Sequence, residues 1–300
     1  MLEGALVITG PTASGKSSLA IELAKHVDLE IISADSVQVY RGMDIGAAKP
    51  PQAILESIPH HLISVRQPTE TYSAAEFRKD ILKLVPEIRG RGRLPVIVGG
   101  TMLYLKILKQ GLAELPKADQ TIRQEINELA REKGWESVYQ ELKSIDPDSA
   151  RRIKPTDSQR LQRAIEVYRL AGATMTELQK IEPSPCPFPL KEVGILPFDR
   201  TKLHESISRR FHLMLERGFV EEVVALKSNS CNHRELPAMR AVGYRQIWSY
   251  LDGDIDYQNM VRTSIFATRQ LAKRQYTWLR NWENMIFMDK PDLTEVLKII

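Results

Sequence analysis

A chain of 300 residues, 43% hydrophobic and 27% charged, is long and apolar enough for a packed core of one large or two modest domains. No apolar run is long enough to span a bilayer, and the two cysteines, Cys186 and Cys231, are too few for a disulfide framework and lack metal-site spacing. The net charge of +4 is compatible with a nucleic-acid partner but does not require one, and with no basic start in MLEG or signal-length apolar core the chain is expected to be cytoplasmic, with no membrane association.

ALVIT (5–9) reads as a buried strand, and GPTASGKS (10–17) follows it directly. Gly10, Gly15, Lys16 and Ser17 match G-x-x-x-x-G-K-[ST] in a strand–loop–helix setting. The glycines let the backbone curl so that its amides and the start of the next helix face anionic oxygens. Lys16 adds a mobile positive charge, and the Ser17 hydroxyl is placed to hold Mg²⁺. GKSSLAIELAKHV then reads as a helix and EIIS (30–33) as a second strand. Asp35 follows it, at the carboxyl edge where open parallel sheets bind ligands. It is either a base facing a nucleophile or an ordinary turn residue.

HHLIS (60–64) reads as a third strand, SAAEFRKDILKLVPEI as a helix, and LPVIVGG (94–100) as a fourth strand. Phosphate-loop hydrolases commonly end such a strand on a Mg²⁺-binding Asp. Here it ends on glycines and Thr101, which either bonds a substrate or caps the helix beginning MLYLKIL. The alternation implies an α/β fold: a phosphate-loop, parallel-sheet core.

From Lys117 to about Lys180 the pattern is helical and charged, and EPSPCPFP (182–189) is a proline-rich linker. Strand character returns in EVGILPF (192–198) and again in NMIFM (284–288). The expected organisation is a catalytic core of residues 1–112 and 191–300 with an all-helical insertion at 113–190. In the insertion, Gln159, Arg160, Gln162 and Arg163 form a polar cluster beside apolar Leu161, Ile165 and Tyr168. Near the C-terminus, Arg262, Arg269, Lys273 and Arg280 fall within about 20° of one line on a helix of 3.6 residues per turn. Val261, Ile265, Ala272, Tyr276 and Leu279 lie about a quarter turn away. Basic stripes with nearby aromatic residues suit a phosphate backbone and stacked bases, and also suit a merely solvated helix face.

GPTASGKS, ISADSVQVYRGMDIGAAKP, PHHLI, VGGTMLYLK, LPKADQTIR, SQRLQRAIEVY, AVGYRQIWSYL and TRQLAKRQYTWLR, in this order and over essentially the whole chain, resemble the tRNA dimethylallyltransferases, also called tRNA isopentenyltransferases. The resemblance implies transfer of a dimethylallyl group from dimethylallyl diphosphate to the exocyclic amine of the adenosine 3′ of the tRNA anticodon. It implies that Gly10, Pro11, Thr12, Ala13, Ser14, Gly15, Lys16 and Ser17 hold the diphosphate, with Ser17 on Mg²⁺, and that Asp35 serves the amine. Arg210 looks like the arginine that assists the leaving group, and Thr101 joins the site. The tRNA contacts carried over are Asp35, Ser36, Val37, Gln38, Thr101 and Arg123. Further contacts are Gln159, Arg160, Leu161, Gln162 and Arg163 in the insertion, which would clamp the anticodon stem-loop; Met239, Arg240, Ala241, Val242, Gly243 and Tyr244; and Lys273, Arg274, Gln275, Tyr276, Thr277, Trp278, Leu279 and Arg280. A monomer is expected.

Two departures stand out. The family often has an acidic residue where this chain has Ser64, and some members carry cysteines near MRAVGY, where this chain has none. A small-molecule kinase, transfer to free adenine nucleotide, and a non-enzymatic RNA-binding module remain as rivals. The two basic clusters, the long insertion and an intact phosphate loop beside Asp35 argue against them in turn.

Overall fold

The computed structural model describes residues 3–113, 115–180 and 184–300. It divides the chain into two compact units, Met1–Lys109 with Cys186–Ile300, and Gln110–Pro185. The division falls a few residues ahead of the boundaries expected at 112 and 190. At the junction, the Cys186 amide donates to the Lys109 carbonyl, and Cys186 and Phe188 pack on the core of the larger unit.

The chain runs β1 (Ala5–Thr9), α1 (Lys16–Leu23), β2 (Leu29–Ser33), α2 (Gln52–Ser57), β3 (His60–His61), α3 (Ala74–Gly90), β4 (Leu94–Gly99) and α4 (Met102–Gln110). The helical unit contributes α5 (Gln120–Ile145), α6 (Pro147–Arg152), α7 (Ser158–Ala171) and α8 (Met175–Gln179). The larger unit resumes with β5 (Leu190–Ile195), α9 (Arg200–Glu216), α10 (Phe219–Ser228), α11 (Tyr244–Leu251), α12 (Tyr257–Arg280), β6 (Ile286–Met288) and α13 (Leu293–Leu297). HHLIS yields only a two-residue strand, because Leu62 and Ser64 take positive φ (61° and 54°) and turn the chain off the sheet. EVGILPF starts two residues early and stops at Ile195.

All strand pairs are parallel, in the order β3-β2-β4-β1-β5-β6. Both faces are covered, so β1, β2 and β4 are buried along their whole length and read as apolar runs rather than alternating ones. The period of two sends Ala5 and Val7 into one core, with Ile32, Ile97 and Phe77. It sends Leu6 and Ile8 into the other, with Leu19, Leu23 and Val96. The chain passes from β1 outward to β2, returns to fill the intervening slot with β4, and continues beyond β1 with β5. That reversal opens a crevice at the carboxyl ends of β1, β2 and β4.

The helical unit has its own core of Ile126, Val138, Leu142, Leu161 and Ile165. α5 breaks at Gly134, whose φ of 79° only glycine adopts freely. Tyr168, expected on the packed side of α7, is instead 37% exposed, one turn beyond the apolar stripe. No helix among the described residues is long and apolar enough to cross a membrane.

Candidate active site

The phosphate loop leaves β1 at the open crevice. Ala13 and Gly15 adopt positive φ (64° and 88°), which turns successive amides toward one side as an anion nest. A side chain at Gly10 would lie 2.6 Å from both the Ile195 carbonyl and the Ser14 hydroxyl, so the first position of the motif is fixed by close packing. The Ser14 hydroxyl is buried with no hydrogen-bond partner, as a group built to meet a ligand oxygen would be.

Lys16 and Ser17 line a cavity of about 190 Å³ with Asp35, Arg210 and Gly100. The Lys16 ammonium donates to the Pro11 carbonyl at 3.3 Å and forms no ion pair among the described residues. Burial brings its pKa down to about 8, the Arg210 charge pushes the same way, and the Asp35 carboxylate opposes them. Two cations face one carboxylate across a desolvated space, an arrangement that calls for an anion.

Asp35 fills both roles that its position suggests. Its Oδ1 accepts from the Val37 and Gln38 amides at 2.8 and 3.3 Å, closing an Asx turn. Its Oδ2 accepts no hydrogen bond among the described residues, and the side chain lines the cavity. Thr101 stands directly before α4, its carbonyl accepting from the Leu105 amide. Its hydroxyl oxygen accepts from the Ser36 amide at 3.0 Å and so fastens the Asp35 turn to the end of β4.

A second cavity of about 110 Å³ shares Thr12, Asp35, Ala47, Arg210 and Leu271 with the first, and its remaining wall is mostly apolar, including Phe211, Met214, Phe219 and Val242. The 44–48 loop contributes to both, through Gly46 and Ala47 to the second and Ala47 and Ala48 to the first. The Glu222 carboxylate accepts from the Asp44, Ile45 and Gly46 amides at 2.9, 2.6 and 3.1 Å. The buried Tyr244 hydroxyl donates to Glu222 at 2.7 Å and accepts from the Ala47 amide at 3.0 Å. Lys49, 4% exposed, ties the loop base to Asp44, the Tyr40 carbonyl and the Ser64 hydroxyl. Ser64 therefore serves as an acceptor for Lys49. Glu222 lies outside the quoted motifs, and Lys49 lies within ISADSVQVYRGMDIGAAKP without a role read for it; their partners are set by the fold, not by periodicity.

Several side chains expected to face RNA are buried as folded. Leu161, Met239, Tyr244 and Leu279 are at most 1% exposed, and Gln275 and Tyr276 are 7% exposed. The reason is helical geometry: within each contiguous segment, part of the residues must face the core. Gln38 is tied by Ser33 and by the Ala47 and Ala48 carbonyls. Arg123 and Arg163 are bonded to the buried Glu166, and Gln162 to Asn127. Arg240 pairs with Glu235. Exposed residues are Ser36, Gln159, Arg160, Arg240, Lys273, Arg274, Thr277, Trp278 and Arg280. Among the described residues Lys273, Arg274 and Arg280 form no ion pair, and Lys106 lies 5.6 Å from the centre of the Trp278 ring.

For Mg²⁺, Ser17 and Asp35 supply hard oxygen donors on the cavity wall. No group of three or more acidic, histidine or cysteine side chains that would hold a metal occurs among the described residues. Such a wall fits an ion that keeps several waters and relies on phosphate oxygens.

Fold and cavity together define a phosphate-loop α/β protein whose cavity sets two cations against one carboxylate. Residues 38–282 match the family model described as IPP transferase. The chain is 34% identical to the full-length tRNA isopentenylpyrophosphate transferase of Bacillus halodurans, covering 99% of this chain and 94% of that one with a TM-score of 0.71. It is 33% identical to the tRNA Δ(2)-isopentenylpyrophosphate transferase of Staphylococcus epidermidis, over 98% and 96% of the two chains, with a TM-score of 0.69. A eukaryotic dimethylallyltransferase acting on tRNA matches at 28% identity and a TM-score of 0.76, over 92% of this chain and 69% of that one. The chain belongs to the IPP transferase family, the tRNA dimethylallyltransferases.

Proposed function

We propose that this enzyme moves a dimethylallyl group from dimethylallyl diphosphate to the exocyclic amine of the adenosine 3′ of the tRNA anticodon, and that the cavity between Lys16, Arg210 and Asp35 is where the transfer occurs. The observation that carries this reading is the unpaired Lys16–Arg210 charge facing Asp35. The phosphate-loop amides, Lys16 and the Ser14 and Ser17 hydroxyls receive the diphosphate. Arg210 stabilises charge as the allylic C–O bond breaks. The adenine amine is a weak nucleophile because its lone pair is delocalised into the ring. Asp35 orients it through Oδ2 and takes its proton as the C–N bond forms. The products are the prenylated base and diphosphate. Ser17 would hold Mg²⁺, which would supply additional positive charge to stabilise the leaving diphosphate. The apolar second cavity keeps water from the allylic carbon.

The base must leave its stack to reach the cavity, at reduced cost in a partly unstacked loop. The exposed residues of α12, with Arg240, Gln159 and Arg160, supply phosphate and stacking contacts. The helical unit clamps the anticodon stem-loop.

The test uses Mg²⁺, labelled dimethylallyl diphosphate and an anticodon stem-loop with adenosine 3′ of the anticodon. Label is expected on that adenosine. Asp35→Asn keeps the turn, because the amide oxygen still accepts from Val37 and Gln38, and lowers kcat by about 10²–10⁴-fold. No label with the wild-type protein overturns the reading; full turnover by the variant overturns the role of Asp35.

A further inference from the structure

Gln275 lies in the C-terminal part of α12, three residues from a solvent-facing tryptophan, yet only 7% of it is exposed. Its side-chain oxygen accepts from the Thr12 amide at 2.8 Å. Its side-chain nitrogen donates to the Gly100 carbonyl at 2.8 Å. The two bonds reach across 263 and 175 positions of sequence. They join the phosphate loop to the end of β4 through one planar amide.

The contact is close and built for this side chain. A Cβ on Gly100 would lie 2.5 Å from the Gln275 nitrogen and 3.1 Å from the Gly10 carbonyl, so glycine at this position is what admits the amide. Both of its polar atoms are satisfied, and both partners are backbone groups that would otherwise be left without it at a buried site, a costly state.

The two anchors lead in opposite directions toward the reacting groups. From Thr12 the loop continues to Lys16 and Ser17. From Gly100 the next residue is Thr101, whose hydroxyl holds the Ser36 amide and hence the Asp35 turn. Gln275 itself lines the polar cavity with Lys16 and Asp35.

We propose that Gln275 is a positioning residue for prenyl transfer: its amide fixes the spacing between the phosphate loop and the Thr101–Asp35 turn, and so aligns the leaving diphosphate with the group that takes the proton. A hydrophobic side chain of equal length would fill the space without fixing the spacing, and small misplacements of reacting groups are expensive in rate. The role differs from direct RNA contact, and it gives the RNA-facing helix a rigid connection to the phosphate loop.

The inference rests on the roles proposed for Lys16 and Asp35, and the experiment separates the two. Gln275→Met and Gln275→Glu are compared with wild type in kcat per folded molecule, in KM for dimethylallyl diphosphate, and in Kd for the anticodon stem-loop alone. Folded fraction is taken from thermal unfolding. Gln275→Met is expected to lower kcat about 10–100-fold while the stem-loop Kd stays within about twofold. Gln275→Glu retains an acceptor for Thr12 but loses the donor to Gly100, and is expected to lose at least about tenfold in kcat with the same unchanged Kd. If Gln275→Met does not fold, Gln275→Glu decides by that criterion. A kcat within twofold of wild type overturns the inference, as does a loss confined to stem-loop affinity, which assigns Gln275 to RNA contact. Absence of prenyl transfer by wild type overturns the underlying site reading instead.

Discussion

In the helical unit, Arg123 and Arg163 converge on the fully buried Glu166. Arg123 donates through Nε at 2.8 Å and Arg163 through a terminal nitrogen at 2.6 Å, while the Asp119 amide completes the set at 2.8 Å. Burial alone would raise the Glu166 carboxyl, but its bonds to Arg123, Arg163 and Asp119 outweigh that and hold it below its ordinary value. In the larger unit, Lys16 and Arg210 also converge, yet among the described residues the only carboxylate that acts on both is Asp35, and one oxygen of Asp35 is already spent on its own turn. Two cations on a buried acid make a self-sufficient structural joint. Two cations facing a cavity with half a carboxylate between them make a site whose charge a ligand must complete. The same distinction recurs on the surface, where Arg240 is paired with Glu235 but Lys273, Arg274 and Arg280 have no acidic partner among the described residues.

This contrast makes separable predictions. Removing one cation from the cavity should cost activity and little stability. Lys16→Met is expected to reduce kcat about 10²–10³-fold, the scale of losing one preorganised electrostatic contact, with a thermal midpoint no lower than wild type, because an uncompensated buried ammonium has been removed. A large fall in midpoint would mean that Lys16 is structurally paired after all.

The reverse holds for the joint. Glu166→Ala leaves two guanidinium groups around an empty acceptor and should cost about 3–5 kcal/mol of stability, read from chemical denaturation of the whole chain. Well below the new melting transition, kcat at saturating stem-loop should stay near wild type, and any change in RNA affinity should appear as a change in salt dependence. A midpoint unchanged by the substitution would erase the distinction between the two regions.

The smallest expected effect is on pH. Lys16 is held down to about 8 by burial first and by Arg210 second, and a bound diphosphate favours its charged form. Affinity for inorganic pyrophosphate should therefore be full below pH 8 and weaken as pH rises through it, by up to about tenfold per unit. Lys16→Arg, which stays protonated, should remove that part of the profile. For the ligand-free protein the sign is opposite. Between about 8 and the ordinary lysine value of 10.5, the folded chain releases this proton before the unfolded chain does, so the cost of burying the charge is relieved as pH rises. Titration calorimetry against pyrophosphate at several pH values checks the first effect. Denaturation at the same values checks the second.

Much of this was legible along the chain. ALVIT followed by GPTASGKS specifies a buried strand, a nest and a helix start through local requirements alone: apolar residues, glycine where φ is positive or space is short, and a lysine at the helix entrance. The period of two in β1 and the 3.6-residue stripes of α7 and α12 likewise follow from nearest neighbours, and so the helical insertion and the parallel sheet could be read in outline. Asp35 was also locatable, because the residue after an apolar strand in an α/β pattern falls at the sheet's carboxyl edge. Local rules could not tell whether it served the turn or the cavity, and it does both with different oxygens.

What tertiary structure decided are the long-range polar contacts. Thr101 was readable as a cap or a ligand, and its bond to Ser36 across 65 positions was readable from neither. Gln275 sits inside a basic segment that reads as RNA-facing, and turns inward to join two loops. Glu222 looks like any surface glutamate of α10, and its carboxylate holds three amides of the 44–48 loop. Hydrophobic pattern is set by the few residues on either side, so one sequence displays it. The partner of a buried amide or carboxylate is set by which distant segment the fold brings within about 3 Å, and only the folded chain contains that distance.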